Sequence, residues 1–269
     1  MKILLFGLGS IGQRHLDNMH SLLPDAAVIV ADPVMREDGE RIFSNWREAV
    51  SVHYDSSCAV IASPTWMHLD QLVACVYRHD IRRVYVEKPP CAMNEIEQYE
   101  KMESYAGKWP CAVGFQYRFN PTVSIAMPIV RRNGHVEFFA RDDLIGRYGR
   151  TCLETMASHP IDTACYLLGD AISVDLHTDG MSVWGEATHQ HGVSVYNISM
   201  GEGPRESMLA TESSDGRTRD SWELEAGNGM YRDALAAWLT WAGGGEHDER
   251  TATLADGLRV MRVMSRAQY

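Results

Sequence analysis

Lys88 stands in Glu87-Lys88-Pro89-Pro90, directly after the apolar run Val84-Tyr85-Val86. Proline donates no ladder hydrogen bond, so the two prolines end the strand and fix the backbone just beyond the lysine. An ammonium group on rigid backbone beside a ligand cleft is suited to giving or taking a proton. The plainer role is a surface ion pair with Glu87. A second group lies at the start of the chain, where Lys2-Ile3-Leu4-Leu5-Phe6 runs straight into Gly7-Leu8-Gly9-Ser10-Ile11-Gly12. Gly7 permits a tight turn, Gly9 has no Cβ to keep the backbone from a diphosphate, and Gly12 lets helix and strand approach closely. The diphosphate meets the unpaired N–H groups of the opening helix turn, at Ser10 and Ile11, and the positive end of the helix dipole.

Asp32 closes the apolar run at 27–31 and lies about 20 residues beyond Gly12, where a dinucleotide site places its ribose carboxylate. A carboxylate repels a 2′-phosphate, so Asp32 favours NAD; Arg36 leaves NADP open, and a turn aspartate before Pro33 is the structural alternative. Ser63-Pro64-Thr65 ends the apolar run at 58–62, at the sheet edge where open α/β folds bind ligands, and His68 follows within reach of a cofactor. His177, His189 and His191 have no third ligand at a recognisable spacing, so no metal is expected and strand-face histidines are the simpler reading.

These residues need a scaffold that brings strand ends to one edge. Apolar runs at 2–6, 27–31, 58–62, 84–86 and 111–114 read as buried strands. Helical periodicity separates them at 10–23, 44–50, 67–79 and 94–102, the last with a capping box from Asn94 to Glu97. Regular alternation of this kind predicts a doubly wound parallel sheet, an N-terminal Rossmann domain over residues 1–117. Residues 118–269 read differently, as helices near 121–130, 156–168, 231–241 and 253–264 around short strands at 135–141, 172–176, 182–186, 193–200 and 207–212. They predict a smaller α+β domain with a mainly antiparallel open sheet. The polar stretch 142–150 is expected to border a substrate cleft, with Arg147, Tyr148 and Arg150 facing an anionic or hydroxylated molecule.

The chain has 269 residues and is 45% hydrophobic, enough for a sizeable core. Its formal net charge of −11 argues against a nucleic-acid or anionic-membrane surface, each of which asks for a basic face. Six scattered cysteines without a CxxC pair read as reduced core thiols. The first strand begins almost at Met1 and no apolar run approaches a membrane span, so a cytoplasmic location is expected.

Five segments in order resemble the Gfo/Idh/MocA family of glucose-fructose oxidoreductases and inositol dehydrogenases: the Gly7 to Gly12 turn, Ser63-Pro64-Thr65 with His68, Glu87-Lys88-Pro89, the run from Gly114 to Pro121, and Ser158-His159-Pro160-Ile161-Asp162. The resemblance implies an NAD(P)-dependent oxidoreductase acting on a sugar, cyclitol or related polyol. It also implies a small-molecule substrate and a homo-oligomer, dimer or tetramer. Carried over, Lys88 and His159 flank the nicotinamide and the reacting carbon and handle the proton, with Tyr117, Arg118 and Thr155 on the substrate side. Many members have an aspartate where this chain has Thr155, so Glu154 or Asp162 is left to orient the imidazole. The second domain also looks short for the family, which implies missing strands. Two rivals follow from these departures: a cofactor-binding regulatory or structural protein without turnover, and a relative acting on glycosides or imines.

Overall fold

The computed structural model describes residues 1–34, 42–53, 55–78, 81–142, 151–201, 205–224 and 227–269. Arg36, Arg147, Tyr148 and Arg150 therefore lie outside the described residues. The chain forms two compact units, residues 1–115 with 228–258, and residues 116–227 with 259–269.

The first unit is built on six parallel strands, β1 (Lys2–Phe6), β2 (Ala27–Ala31), β3 (Ile42–Phe43), β4 (Cys58–Ile61), β5 (Val84–Glu87) and β6 (Cys111–Gly114). They stand in the order β3-β2-β1-β4-β5-β6. Chain order reverses beside β1, whose neighbours are β2 and β4, so the ligand crevice of a doubly wound sheet falls at the carboxyl ends of β1 and β4. The strands are almost wholly apolar because helices cover both faces of the sheet. Those helices are α1 (Ser10–Leu22), α2 (Trp46–Val52), α3 (His68–Val73) and α4 (Ile96–Ala106). A turn of 3₁₀-helix, Thr65–Met67, precedes α3 and a π-turn, Ala74–Arg78, continues it, so the helix expected over 67–79 is three different windings. The capping contact before α4 is made by Glu95, whose carboxylate accepts from Ala92 N–H at 2.9 Å, two residues earlier than the Asn94–Glu97 box expected.

The segment 228–258 rejoins this unit, although its place in the sequence suggests the second domain. The physical reason lies in α7 (Asn228–Ala242). Its Leu235 and Trp238 are fully buried in the core formed by β1, β2 and β4 residues. Trp238 packs on Tyr85 at 5.6 Å between ring centroids and donates its indole N–H to the Pro110 carbonyl at 3.0 Å.

The second unit carries a six-stranded sheet of β7 (His135–Asp142), β8 (Ala171–Thr178), β9 (Ser182–His189), β10 (Gly192–Met200), β11 (Glu206–Glu212) and β12 (Arg219–Glu223), ordered β12-β11-β7-β10-β9-β8. Only β7 and β10 pair in parallel; the other pairs are antiparallel. Helices α5 (Pro121–Asn133) and α6 (Ser158–Leu168) pack on one face. The other leaves Phe139, Trp184 and Met208 exposed. The last helix, α8 (Leu254–Met264), begins in the first unit and ends in the second. All six cysteines are free and buried, and burial pushes the Cys58, Cys91, Cys111, Cys152 and Cys165 thiols up to about 12. Among the described residues no helix is long and apolar enough to cross a membrane, and no cluster of side chains is arranged to hold a metal ion.

Candidate functional site

In the first unit, the glycine turn leaves the carboxyl end of β1 and opens α1. Gly7 has φ +87°, and a Cβ on it would meet the Ala62 carbonyl oxygen at 2.7 Å. At Gly12 a Cβ would stand 2.0 Å from the Gly7 oxygen, so helix and turn touch backbone to backbone. Gly9 differs: among the described residues nothing beyond its own chain neighbours lies within 4 Å of the position its Cβ would take. It is also the N-cap of α1, with no side-chain cap and no acidic residue in the first turn. An uncapped helix N-terminus beside open space fits a diphosphate, which supplies the acceptors that the leading N–H groups lack. Asp32 accepts from Leu8 N–H at 2.6 Å through Oδ2 and from Val34 N–H at 2.8 Å through Oδ1. The carboxylate thus ties the end of β2 to the glycine turn, and each oxygen keeps a further lone pair for a ribose hydroxyl.

Ser63, Pro64 and Thr65 leave the carboxyl end of β4, next to that turn. Ser63 Oγ donates to Gln71 Oε1 at 2.6 Å. His68 is buried, with Nε2 at 2.7 Å from the Ser63 carbonyl and Nδ1 at 2.8 Å from the Pro89 carbonyl. Its ring therefore joins the Ser63 loop to the loop that carries Lys88. Trp66, in the 3₁₀ turn just before His68, is a large apolar side chain, 68% exposed, that sequence patterning does not single out.

Glu87 ends β5 and is 5% exposed, so it is no surface partner for Lys88. Its Oε1 lies 2.8 Å from Nε2 of fully buried His15, and its Oε2 accepts from Lys88 N–H at 3.3 Å. His15 Nδ1 has no hydrogen-bond partner among the described residues, so the proton that satisfies the carboxylate is carried on Nε2. Tyr85 and Tyr231 meet the imidazole edge-on, at 5.4 and 6.4 Å. The readable sign of His15 is its place on the buried stripe of α1 with Gly12, Leu16 and Met19, where an imidazole requires a buried partner. Lys88 follows at the carboxyl edge, joined to Pro89 by a cis peptide bond.

In the second unit, His159 lies in the first turn of α6, directly after a π-turn, Leu153–Ala157, that contains Thr155. Single π-turns inside helices are frequent at functional sites. The Tyr117 ring stacks on the His159 imidazole at 4.4 Å between centroids and 10° between planes. Arg118, the next residue, is buried and its guanidinium grips Asp162 through two bonds, Nε to Oδ2 at 2.9 Å and Nη2 to Oδ1 at 2.6 Å. A bidentate charged pair of this kind fixes geometry as well as energy. Arg118 and Asp162 thereby hold the turn that carries Tyr117 to the helix that carries His159.

No family model matches the chain. It is 24% identical to 4-carboxy-2-hydroxymuconate-6-semialdehyde dehydrogenase of Sphingobium sp. over 65% of its own length, and the match spans 61% of that relative. Among solved structures, myo-inositol 2-dehydrogenase from Lactobacillus plantarum superposes with a TM-score of 0.82 at 14% identity, covering 98% of this chain and 95% of that one. The WlbA (WbpB) dehydrogenase from Thermus thermophilus, in complex with NAD and UDP-GlcNAcA, gives 0.78 at 16% identity, covering 98% and 94%. The chain therefore has the fold of these dehydrogenases.

Proposed function

We propose that the chain is a Gfo/Idh/MocA-type, NAD-dependent oxidoreductase that moves a hydride to or from the hydroxyl- or carbonyl-bearing carbon of a sugar, cyclitol or related polyol. The observation that carries this reading is one sheet edge bearing both the uncapped α1 terminus with open Gly9 and Lys88 at the end of β5. Bound at that terminus, NAD supplies the hydride acceptor, and NADH the donor. The backbone from Gly7 to Gly12 holds the diphosphate, Asp32 takes the ribose, and the Ser63 to Thr65 loop, braced by His68, lines the crevice. Lys88 and His159 handle the hydroxyl proton. Tyr117 fixes the plane of the imidazole, and Arg118 braces that platform through Asp162. Thr155, in the π-turn just before α6, takes the substrate side.

The dehydrogenase relative and the NAD-bound solved neighbour support the redox class. The inositol dehydrogenase neighbour supports the polyol. The exposed apolar side chains of the second sheet support a homo-oligomer formed through that face, and a cytoplasmic location completes the reading. The test is Lys88→Ala. Proton transfer by a positioned side chain is worth about 10²–10⁴-fold, so turnover falls by that factor while NADH binding, followed by fluorescence, is retained. Near wild-type turnover in this variant overturns the role given to Lys88.

A further inference from the structure

We propose that the amino-terminal edge of the parallel sheet carries a second ligand site, selective for a small aromatic carboxylate. Three loops meet there: Ser56 precedes β4, Arg82 and Arg83 precede β5, and Trp109 precedes β6. With Trp241 from the end of α7 they line a cavity of about 370 Å³, at the small end of the range for small-molecule sites. The strands are parallel and four residues long, so this cavity opens at the opposite edge from Lys88, about 13 Å of strand away. It is not part of the nucleotide crevice.

The lining selects for charge and shape together. Among the described residues it contains two arginines and no acidic residue, in a chain that has 36 acidic and 25 basic residues. The Arg82 guanidinium carbon lies over the Trp109 ring, 4.7 Å from its centroid. Arg83, exposed beside it, supplies planar N–H groups of the kind that recognise a carboxylate. Lys108 adds a third positive charge, 5.1 Å from the same ring, and Tyr105 fixes the indole edge-on at 5.1 Å. Ser56 is only 8% exposed, and its hydroxyl has no hydrogen-bond partner among the described residues. A buried hydroxyl of this kind is ordinarily satisfied, which sets Ser56 apart in the cavity wall. Inorganic phosphate would answer the cations but leave Trp109 and Trp241 in water; an aromatic acid covers both kinds of surface.

The test is calorimetric titration of the full chain with sodium benzoate, beside benzamide, cyclohexanecarboxylate and inorganic phosphate, with and without saturating NADH. Benzoate is expected to bind in both conditions, with the other three probes weaker. Arg83→Gln, a change at an exposed side chain, should weaken benzoate about tenfold by removing charge-assisted hydrogen bonds. Trp241→Leu should weaken benzoate while leaving phosphate unaffected. In both variants NADH titrates as in the wild type, which separates this site from the redox reading. The proposal is overturned if benzoate does not bind, if NADH displaces it, if phosphate or benzamide binds as tightly, or if both variants keep wild-type benzoate affinity.

Discussion

Glu87 is the residue through which the first helix acts on Lys88: one carboxylate oxygen is held by His15 at 2.8 Å and the other takes the lysine's own N–H at 3.3 Å. Removing one donor from a buried carboxylate forfeits a hydrogen bond to a charged group, at a cost of about 1.5–3 kcal/mol. His15→Ala is therefore expected to lower the urea midpoint markedly and to reduce turnover. Glu87→Gln gives up the charge but keeps the size and an oxygen acceptor, so it should fold and bind NADH while turnover and its pH profile both change. Equal wild-type profiles in Glu87→Gln would show that the carboxylate only fills space. Neither role is readable from the motif alone. Glu-Lys-Pro read as sequence suggests an exposed pair, and only the pairing of α1 with β5 turns the glutamate inward.

At the scale of elements, five strands of the first sheet were legible because each is a short apolar run between turn signals, whereas the two-residue β3 is too short to announce itself; the glycine turn was legible from the spacing of its three glycines. Less was legible in the second unit. The strand β12 alternates exposed polar residues around Trp222 and has no apolar run to announce it. A buried polar chain inside the second sheet was equally hidden: His189 lies 2.8 Å from both the Gly169 carbonyl and Ser194 Oγ, and Ser194 in turn donates to Tyr196 at 2.8 Å. Desolvation holds the His189 imidazole below its ordinary value of 6.5. The folded state therefore binds its proton less readily than the unfolded chain, and the stability contributed by this group is present above 6.5 and lost as pH falls below it. Equilibrium unfolding of the wild type and His189→Gln between pH 8 and pH 5 tests this. The wild type should lose more stability on acidification than the variant, and parallel losses would remove His189 as the cause.

At the scale of the whole molecule, the chain returns to its first unit after building its second, and sequence order conceals that return. A linear division at 117 keeps together residues that adjoin in sequence, whereas the buried stripe of α7 belongs to the Rossmann core. Trp238→Ala is expected to destabilise that unit by about 3–5 kcal/mol, as deletion of a buried indole does, read as loss of hydrogen-exchange protection in β1, β4 and β5. Loss confined to the strands of the second unit would contradict the assignment. The same return places Tyr231 beside His15, with the Arg14 guanidinium 4.4 Å from its ring centroid, so the late helix also supports the early turn.

The most direct test of the account is transfer of the label itself. The protein is incubated with NAD and a panel of cyclitols and sugars carrying deuterium on the carbinol carbons, and the nicotinamide is analysed by mass spectrometry. Deuterium in the reduced nicotinamide with at least one panel member, lost in Lys88→Ala, is the result predicted. Binding of NAD with no label transferred from any panel member would contradict polyol dehydrogenation as the function of this chain.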